Sequence, residues 1–461
     1  MNYPFWDIPH LGSAWVIGII AIFHVMISQF AVGGGFYLPL AERRALAMKD
    51  EKLRKEWMEQ LLSHSKFFLL LTGVFGTVSG VGIWFAIGLT HPEATSTLIH
   101  NFVFGWAIEW VFFLVELTTI AVYYYTWGKI DEKLHLTVGW VYAGASVCTL
   151  IIINGILSFM LTPGDTWIGV AGTGNEASKF WNAFFNPTYW PSLFLRVCVC
   201  ASLAAVWALI TSSRIDGEKK PQLKISLIQW SVRWLIPSFV LTPFLMLWYL
   251  FMVPEAQRQL LILGMDTMSP GTFSTVTRIA LITIVTSATI IGVAYFLAYR
   301  NAIEFSLPHA LCVLLLALMA TGAGEYSREM LRKPFVIGRW MYSNGVRVPY
   351  VNRINQEGYL VHSNWVWNGA GQPSAYSRGE AIFRGECGSC HTLDGYRPLR
   401  QLLSGRDRTN IGNFIQMLHE YKPDLSYRHY MPPMVGTKQD VDDLTDYLNY
   451  QVNGPSTVAK K

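Results

Sequence analysis

The sequence predicts an all-α protein, a polytopic membrane helical bundle of about eight transmembrane helices followed by a small α-helical domain. Of the 461 residues, 52% are hydrophobic and only 15% are charged, against about 25% in an average soluble domain. The apolar residues form runs long enough to cross a bilayer as helices. These runs are roughly 14–40, 65–89, 101–127, 136–161, 190–212, 228–252, 274–299 and 306–325.

Composition divides the chain into three predicted parts. Residues 1–330 form a membrane domain, residues 331–375 a connector on the outer surface, and residues 376–461 a small polar domain. Met1 to Ser13 carry neither a basic stretch nor a small-residue cleavage site, so the first apolar segment is predicted to be a retained helix. The net charge of +5 is too small to indicate nucleic-acid binding.

Lysine and arginine are distributed unevenly between alternate predicted loops. One set of loops holds only Lys179 and Arg258. Loops rich in Lys and Arg normally face the cytoplasm, so both ends of the membrane domain are predicted to lie outside. The richer set holds Arg43, Arg44, Lys49, Lys52, Arg54, Lys55, Lys66, Lys129, Lys133, Arg214, Lys219, Lys220, Lys224 and Arg300.

The polar domain contains the run Cys387-Gly388-Ser389-Cys390-His391. Two thiols and an imidazole at this spacing predict one covalently attached c-type haem, with thioethers to Cys387 and Cys390 and His391 beneath the iron. A zinc half-site is the alternative, but the sequence offers no second cysteine pair. Attachment of haem c is completed on the outer face of bacterial membranes. The motif and the charge distribution therefore both predict an inner-membrane protein whose C-terminal domain is periplasmic.

The remainder of this domain resembles small single-haem cytochromes c. A short helix precedes the haem motif, a Thr392-Leu393-Asp394-Gly395 turn follows it, and a helix over 438–451 closes the domain. Within Tyr430-Met431-Pro432-Pro433-Met434, the resemblance makes Met431 the axial iron partner of His391. The competing candidates for that position are Met434, His419 and His429.

Ionisable residues inside the apolar runs are candidates for function, because burying them in lipid is costly. His24 stands in a run with no other charge and is either an iron ligand or a hydrogen-bonded core histidine. Glu109 and Glu116 are seven residues apart and therefore share one helical face. They suggest a proton path or an iron ligand, and the alternative is a pair of hydrogen-bonded packing groups.

At these residues the membrane domain resembles subunit I of cytochrome bd oxidases. The resemblance implies that His24 and Glu329 bind membrane haem iron, that Glu109 lies beside the oxygen-reducing haem, and that Glu116 is on the proton route. We expect Arg278 and Arg332 to pair with haem propionates, because guanidinium groups bind carboxylates strongly. The motifs that carry the resemblance are His24, Gly105-Trp106-Ala107-Ile108-Glu109, Glu116-Leu117-Thr118-Thr119, Asn154-Gly155 and Ser327-Arg328-Glu329-Met330-Leu331-Arg332-Lys333-Pro334-Phe335.

The chain also departs from that family. The low-spin b haem of the family requires a histidine on helix 5 and a methionine on helix 7, where this sequence has Arg196 in a run without histidine and Ala280. The quinol loop is reduced to about 20 residues, Val253 to Thr272. The two helix-3 glutamates are one residue closer together than in the family, and the cytochrome c domain stands where a ninth helix is expected.

These observations predict a respiratory cytochrome that passes electrons from haem c to one or two membrane haems, of type b, type d or both. The expected donor is cytochrome c or another partner on the outer face, and the expected acceptor is oxygen. The alternative is an electron-transfer subunit without oxygen chemistry that exchanges electrons with quinone or another membrane partner. By resemblance to the family, a second membrane subunit is expected.

Overall fold

The computed structural model describes residues 6, 8–255, 258, 272–363, 366 and 375–454, of which 272–280, 375–376 and 426 are described by backbone alone. Within these ranges eight helices are long and apolar enough to cross a membrane, which confirms the predicted fold class. Its spans are Ser13–Leu46, Glu51–Thr90, Val103–Tyr125, Glu132–Leu161, Tyr189–Ser213, Pro221–Met252, Leu281–Tyr299 and Leu307–Arg332, called here the first to eighth spans.

Two spans contain a π-helical segment. The second span runs as Glu51–Leu70, a π-helix at Leu71–Gly76, and Thr77–Thr90. The seventh belongs to a helix that begins at Thr272 and becomes π-helical at Val293–Tyr299. The short helices between spans are Pro92–Asn101, Asp165–Ile168, the 3₁₀ turn Glu176–Lys179 and Phe180–Phe184.

The first span is the centre of the bundle and packs on the second, fourth, fifth and eighth spans. Three consecutive glycines make this possible. A Cβ at Gly33 would lie 2.1 Å from the backbone oxygen of Cys200, and one at Gly34 would lie 2.3 Å from the ring of Phe68. A Cβ at Gly35 would lie 2.7 Å from Ser146 Oγ. Membrane helices approach closely where small residues line the contact, because lipid provides no hydrophobic driving force between them.

The connector joins the membrane bundle to the cytochrome domain through two hydrophobic clusters. A two-stranded antiparallel sheet, β1 (Phe335–Ile337) and β2 (Met341–Tyr342), buries Ile337 and Met341 in the bundle core. Tyr342 and the residues after it pack instead into the cytochrome core. Sequence analysis did not predict this sheet. The other connector elements are the 3₁₀ turn Val348–Tyr350 and the helices Val351–Glu357 and Tyr359–His362.

The C-terminal domain is built on two crossing helices, Ala375–Ile382 and Lys438–Asn453. A Cβ at Gly379 would lie 2.2 Å from the backbone oxygen of Asp443. Beside this contact, Arg378 donates to the buried carboxylates of Asp440 and Asp443 at 2.9 and 2.7 Å. The remaining elements are the π-helix Phe383–Cys387, the helices Leu399–Leu402 and Arg408–Glu420, and the 3₁₀ turn Ser426–His429.

We expect Gly33→Ala to destabilise the protein by about 1–3 kcal/mol, because the new methyl group meets backbone that cannot yield. Gly18 lies in the same span and has open space around its Cβ position, so Gly18→Ala is the matched control. Thermal unfolding of both purified variants in detergent measures the difference. Equal midpoints would contradict the close approach at Gly33.

Candidate haem sites

The C-x-x-C-H segment forms one compact turn. The amides of Cys390 and His391 donate to the backbone oxygen of Cys387 at 3.0 and 2.8 Å. His391 Nδ1 lies 3.0 Å from the backbone oxygen of Arg397. A carbonyl only accepts, so Nδ1 carries the proton and Nε2 is the nitrogen that can bind iron. Burial lowers the pKa of His391, which keeps the imidazole neutral, as an iron ligand must be.

The two cysteines of the motif are free thiols in different surroundings. Burial raises the pKa of Cys387. Burial also acts to raise the pKa of Cys390, but Lys333, Arg397 and the hydrogen bonds of Ser389 and Ser343 together outweigh it, so that the pKa of this thiol is lowered. Both side chains are partly buried, and Cys387 packs against the apolar core of the domain. These residues therefore fit a haem held by two thioethers and one histidine.

The candidates for the second axial position differ in how they are held. Met434 is 4% exposed and packs in the domain core, and its backbone oxygen lies 3.2 Å from His419 Nδ1. Met431 is partly exposed, and its backbone oxygen accepts from the hydroxyl of Tyr421 at 2.9 Å. His429 ends a 3₁₀ turn. The assignment of Met431 as the iron ligand remains a prediction. The packing of Met434 in the domain core is compatible with this assignment.

The turn formed by residues 387–391, called here the haem turn, lies directly against one end of the membrane bundle. Ser13 Oγ, at the start of the first span, donates to the backbone oxygen of Gly388 at 3.0 Å. The amide of Tyr396 donates to the backbone oxygen of His10 at 3.0 Å, and its ring packs edge-to-face on Trp15. A Cβ at Gly395 would lie 1.7 Å from that same oxygen of His10. The cytochrome domain therefore contacts the start of the first span and, by backbone contact, the residues just before it.

The end of the eighth span meets the haem turn at the same face. Glu329 accepts from Arg332 Nη2 at 2.5 Å, and Lys333 Nζ lies 3.4 Å from its other oxygen. Lys333 Nζ is also 4.0 Å from Cys390 Sγ. His91, which follows the second span, is close enough to this cluster that burial, Lys333 and Arg332 together lower its pKa to about 4. Sequence analysis did not single out His91, which looks like an ordinary loop residue, and it assigned no role of its own to Lys333 within the motif of residues 327–335.

His24 is oriented by the second span. Its Nδ1 lies 2.8 Å from Ser79 Oγ, and that hydroxyl donates to the backbone oxygen of Phe75. Since a hydroxyl has a single proton, Ser79 accepts at His24, so Nδ1 is protonated and Nε2 carries the free lone pair. The geometry fits an iron ligand as well as it fits a hydrogen-bonded core histidine.

Glu109 and Glu116 lie on the third span, with Glu109 partly buried and Glu116 only 3% exposed. Ser146 of the fourth span lies beside Glu116. The two carboxylates are close enough to interact with each other. The structure therefore brings these two predicted residues together and places one of them in the bundle interior.

Two arginines and a glutamate form a network between the fifth and eighth spans. Arg196 is 7% exposed and lies 3.4 Å from Glu325, which also accepts from Arg328 Nε at 2.9 Å. This pairing lies in the helix where the sequence lacks the expected histidine. The side chain of Arg278 and most of the segment from Val253 to Thr272 lie outside the described residues.

A second buried polar cluster was missed by sequence analysis. Glu42, 1% exposed, accepts from the hydroxyl of Tyr123 at 2.8 Å and lies 2.7 Å from His135 Nδ1. His135 Nε2 reaches the backbone oxygen of Tyr123 at 2.9 Å. Glu42 precedes Arg43 and Arg44 in the sequence, so it reads as part of a charged loop. The predicted first helix ends at residue 40, whereas the helix in the structure continues to Leu46 and so includes Glu42.

Comparison with known families matches two regions of the molecule. The model of the cytochrome bd terminal oxidase subunit I family matches residues 13–215, and the cytochrome c model matches residues 376–451. The chain joins a cytochrome bd oxidase subunit I domain to a cytochrome c domain. It is a multi-pass membrane protein, and these domains identify it as a protein of respiratory electron transfer.

A solved structure shares the fold of the bd-like half. The bd oxidase from Geobacillus thermodenitrificans superposes with a TM-score of 0.57 and 15% sequence identity, over 70% of this chain and 87% of that chain. At this identity the likeness shows the fold alone. A search of curated proteins found no match.

We expect replacement of both Cys387 and Cys390 by serine to abolish covalent haem, because thioethers need both thiols. The measurement is haem-dependent peroxidase staining after denaturing electrophoresis, with protein amount followed by immunoblot. Cys312→Ser is the matched control, since Cys312 is an exposed thiol on the eighth span. Haem staining that survives the double substitution would contradict the assignment.

Proposed function

We propose that this protein is a bd-like terminal oxidase in which electrons reach the membrane haems through haem c rather than from quinol. The donor would be cytochrome c or another protein on the outer face, and oxygen would be reduced to water. In this proposal Cys387, Cys390, His391 and Met431 hold haem c, while His24 and Glu329 bind membrane haem iron. The haems supply the redox chemistry, and the chain positions them and delivers protons.

The contact of Lys333 with both haem regions is the observation that carries the proposal. Its ammonium lies 4.0 Å from Cys390 Sγ and 3.4 Å from Glu329 Oε1. One side chain thus touches a haem c attachment point and the candidate ligand of a membrane haem. A cofactor on Cys390 would therefore lie at the end of the bundle nearest Glu329, which favours direct electron transfer between the two.

The interior between the fifth and eighth spans supports the loss of a separate low-spin haem. Arg196 on the fifth span extends a long charged side chain into this interior, where it pairs with Glu325 of the eighth span. A buried ion pair is strongly held once formed, because removing either partner leaves an uncompensated charge. Together with Ala280, which the sequence has where the family has a methionine, this pair favours haem c as the replacement for the low-spin haem that accepts electrons from quinol.

Protons would enter from the face of the bundle opposite to haem c. Glu42, with His135 and Tyr123, lies towards that face in the first span. Tyr123 lies near Tyr142, which lies near Glu116. We infer that Glu42 receives protons and that Glu116 and Glu109 hold them closer to the oxygen site. Each of these groups can exchange a proton without leaving the bundle.

The ion pairs of Glu329 favour a second candidate. Arg332 and Lys333 both bind its carboxylate, and a carboxylate held in this way would be a weak competitor for iron. The protein would then be an electron-transfer subunit that exchanges electrons with quinone or another membrane partner. In either case we propose a second membrane subunit, by resemblance to the bd family, in a bacterial inner membrane with haem c on the periplasmic side.

Carbon monoxide separates the two candidates. For the oxidase we expect carbon monoxide to shift the reduced spectrum of the purified protein. We also expect cyanide-sensitive oxygen uptake with reduced cytochrome c. Glu329→Gln should lower both signals by at least about tenfold, on the scale of perturbed metal sites. Extraction with acidified acetone, which leaves haem c on the chain, would identify the released haem as b or d.

The control is Glu357→Gln, an exposed carboxylate of the connector, which should leave both signals unchanged. If the native protein shows neither a carbon monoxide shift nor cyanide-sensitive oxygen uptake, the oxidase proposal fails. Haem c staining would still be retained in that case, and the electron-transfer candidate would stand.

A further inference from the structure

A cavity of about 300 Å³ lies at the face of the bundle opposite to haem c. It forms where the last turn of the first span and the start of the second meet the first four turns of the sixth span. Leu53 and Ile225 are the aliphatic residues in its walls. The lining residues that could bind a ligand are Arg44, Arg233, Trp230, Gln222, Gln229 and Ser226.

Two arginines face this cavity without a carboxylate. Arg44 and Arg233 are close enough to repel each other, and within the described part of the chain neither forms an ion pair. The nearby carboxylate of Glu56 is directed to Lys220 at 3.5 Å. Two unpaired like charges at one cavity destabilise the ligand-free protein, and a bound anion would relieve this repulsion.

Aromatic side chains hold Arg44 in place without neutralising it. Its guanidinium lies 5.6 Å from the ring centre of Trp57 and 4.8 Å from that of Trp230. Arg44 Nε and the indole Nε1 atoms of both tryptophans are buried and have no hydrogen-bond partner in the described structure. Buried N–H groups are normally satisfied, so three at one place indicate a missing acceptor. Trp57 is fully buried, so its ring contributes to holding the guanidinium of Arg44 in place.

The surface next to the cavity is suited to hydrocarbon chains. Val240, Phe244, Leu247 and Phe251 of the sixth span follow Arg233 at intervals that place all five on one helical face. These four side chains are between 45% and 70% exposed. The stripe runs from Arg233 into the depth of the membrane. A ligand with an anionic head and apolar tails would thus meet charge at the cavity and hydrocarbon-like surface along the helix.

We propose that this cavity binds the phosphate headgroup of an anionic membrane phospholipid, with Arg44 and Arg233 as the charged contacts. The acyl chains would lie along the exposed face of the sixth span. Basic pockets between membrane helices recognise such headgroups by the same chemistry. A free phosphate ion would satisfy the arginines, but it would make no use of the apolar stripe.

Native mass spectrometry of the detergent-solubilised protein tests this proposal with two lipids of matched chains, phosphatidylglycerol and phosphatidylcholine. We expect a clear preference of the native protein for phosphatidylglycerol. The variant Arg44→Gln/Arg233→Gln should bind phosphatidylglycerol roughly thirtyfold more weakly, on the scale of two arginines at an anionic surface. Arg43→Gln is the control for position, because Arg43 is an exposed arginine beside Arg44 that does not line the cavity, and this variant should bind like the native protein.

Thermal unfolding without added lipid separates loss of the site from loss of the fold. The double variant should unfold at the native temperature or slightly above it, because like-charge repulsion is removed. Equal binding of the two lipids by the native protein, or equal binding by the double variant and the Arg43→Gln control, would overturn the proposal. Stabilisation by inorganic phosphate without any preference between the lipids would also overturn it, in favour of a free-anion site.

Discussion

The backbone approach of the first span to its neighbours at Gly33, Gly34 and Gly35 is the constraint on which the rest of the structure depends. At Gly33 the helix meets another main chain, so its rotation and height in the bundle are fixed there. Ser13, His24, Glu42 and Arg44 all belong to this one helix. The contact to the haem turn, the candidate iron ligand, the interior carboxylate and the basic cavity are therefore set by a single rigid element.

The charge at the end of the eighth span also bears on redox chemistry. Arg332 ends the helix, where a positive side chain opposes the negative end of the helix dipole. Lys333 then extends the positive charge to the haem turn. A fixed cation near a haem stabilises the added electron, because the reduced iron carries one less positive charge. The same lysine that joins the two regions would accordingly raise the potential of haem c.

The sequence was sufficient for the elements with strong physical signatures. Long apolar runs predicted the eight spans, and the C-x-x-C-H spacing predicted the turn that carries His391. The sequence could not predict what depends on tertiary contact. Glu42 and His135 are 93 residues apart and meet only when the first and fourth spans pack. Likewise, the buried sheet at Ile337 and Met341 lies in a segment with no periodic pattern, because its burial is imposed by the bundle above it.

The contact between His10 and Gly395 joins two segments that lie nearly at opposite ends of the described chain. Folding of the bundle brings these segments together, so the cytochrome domain docks from a tethered position and not from bulk solution. Tethering gives a partner an effective concentration in the millimolar range without any increase in intrinsic affinity. In the proposed function, the internal transfer of electrons would thereby be freed from diffusion, and only the exchange with an external donor would depend on a bimolecular encounter.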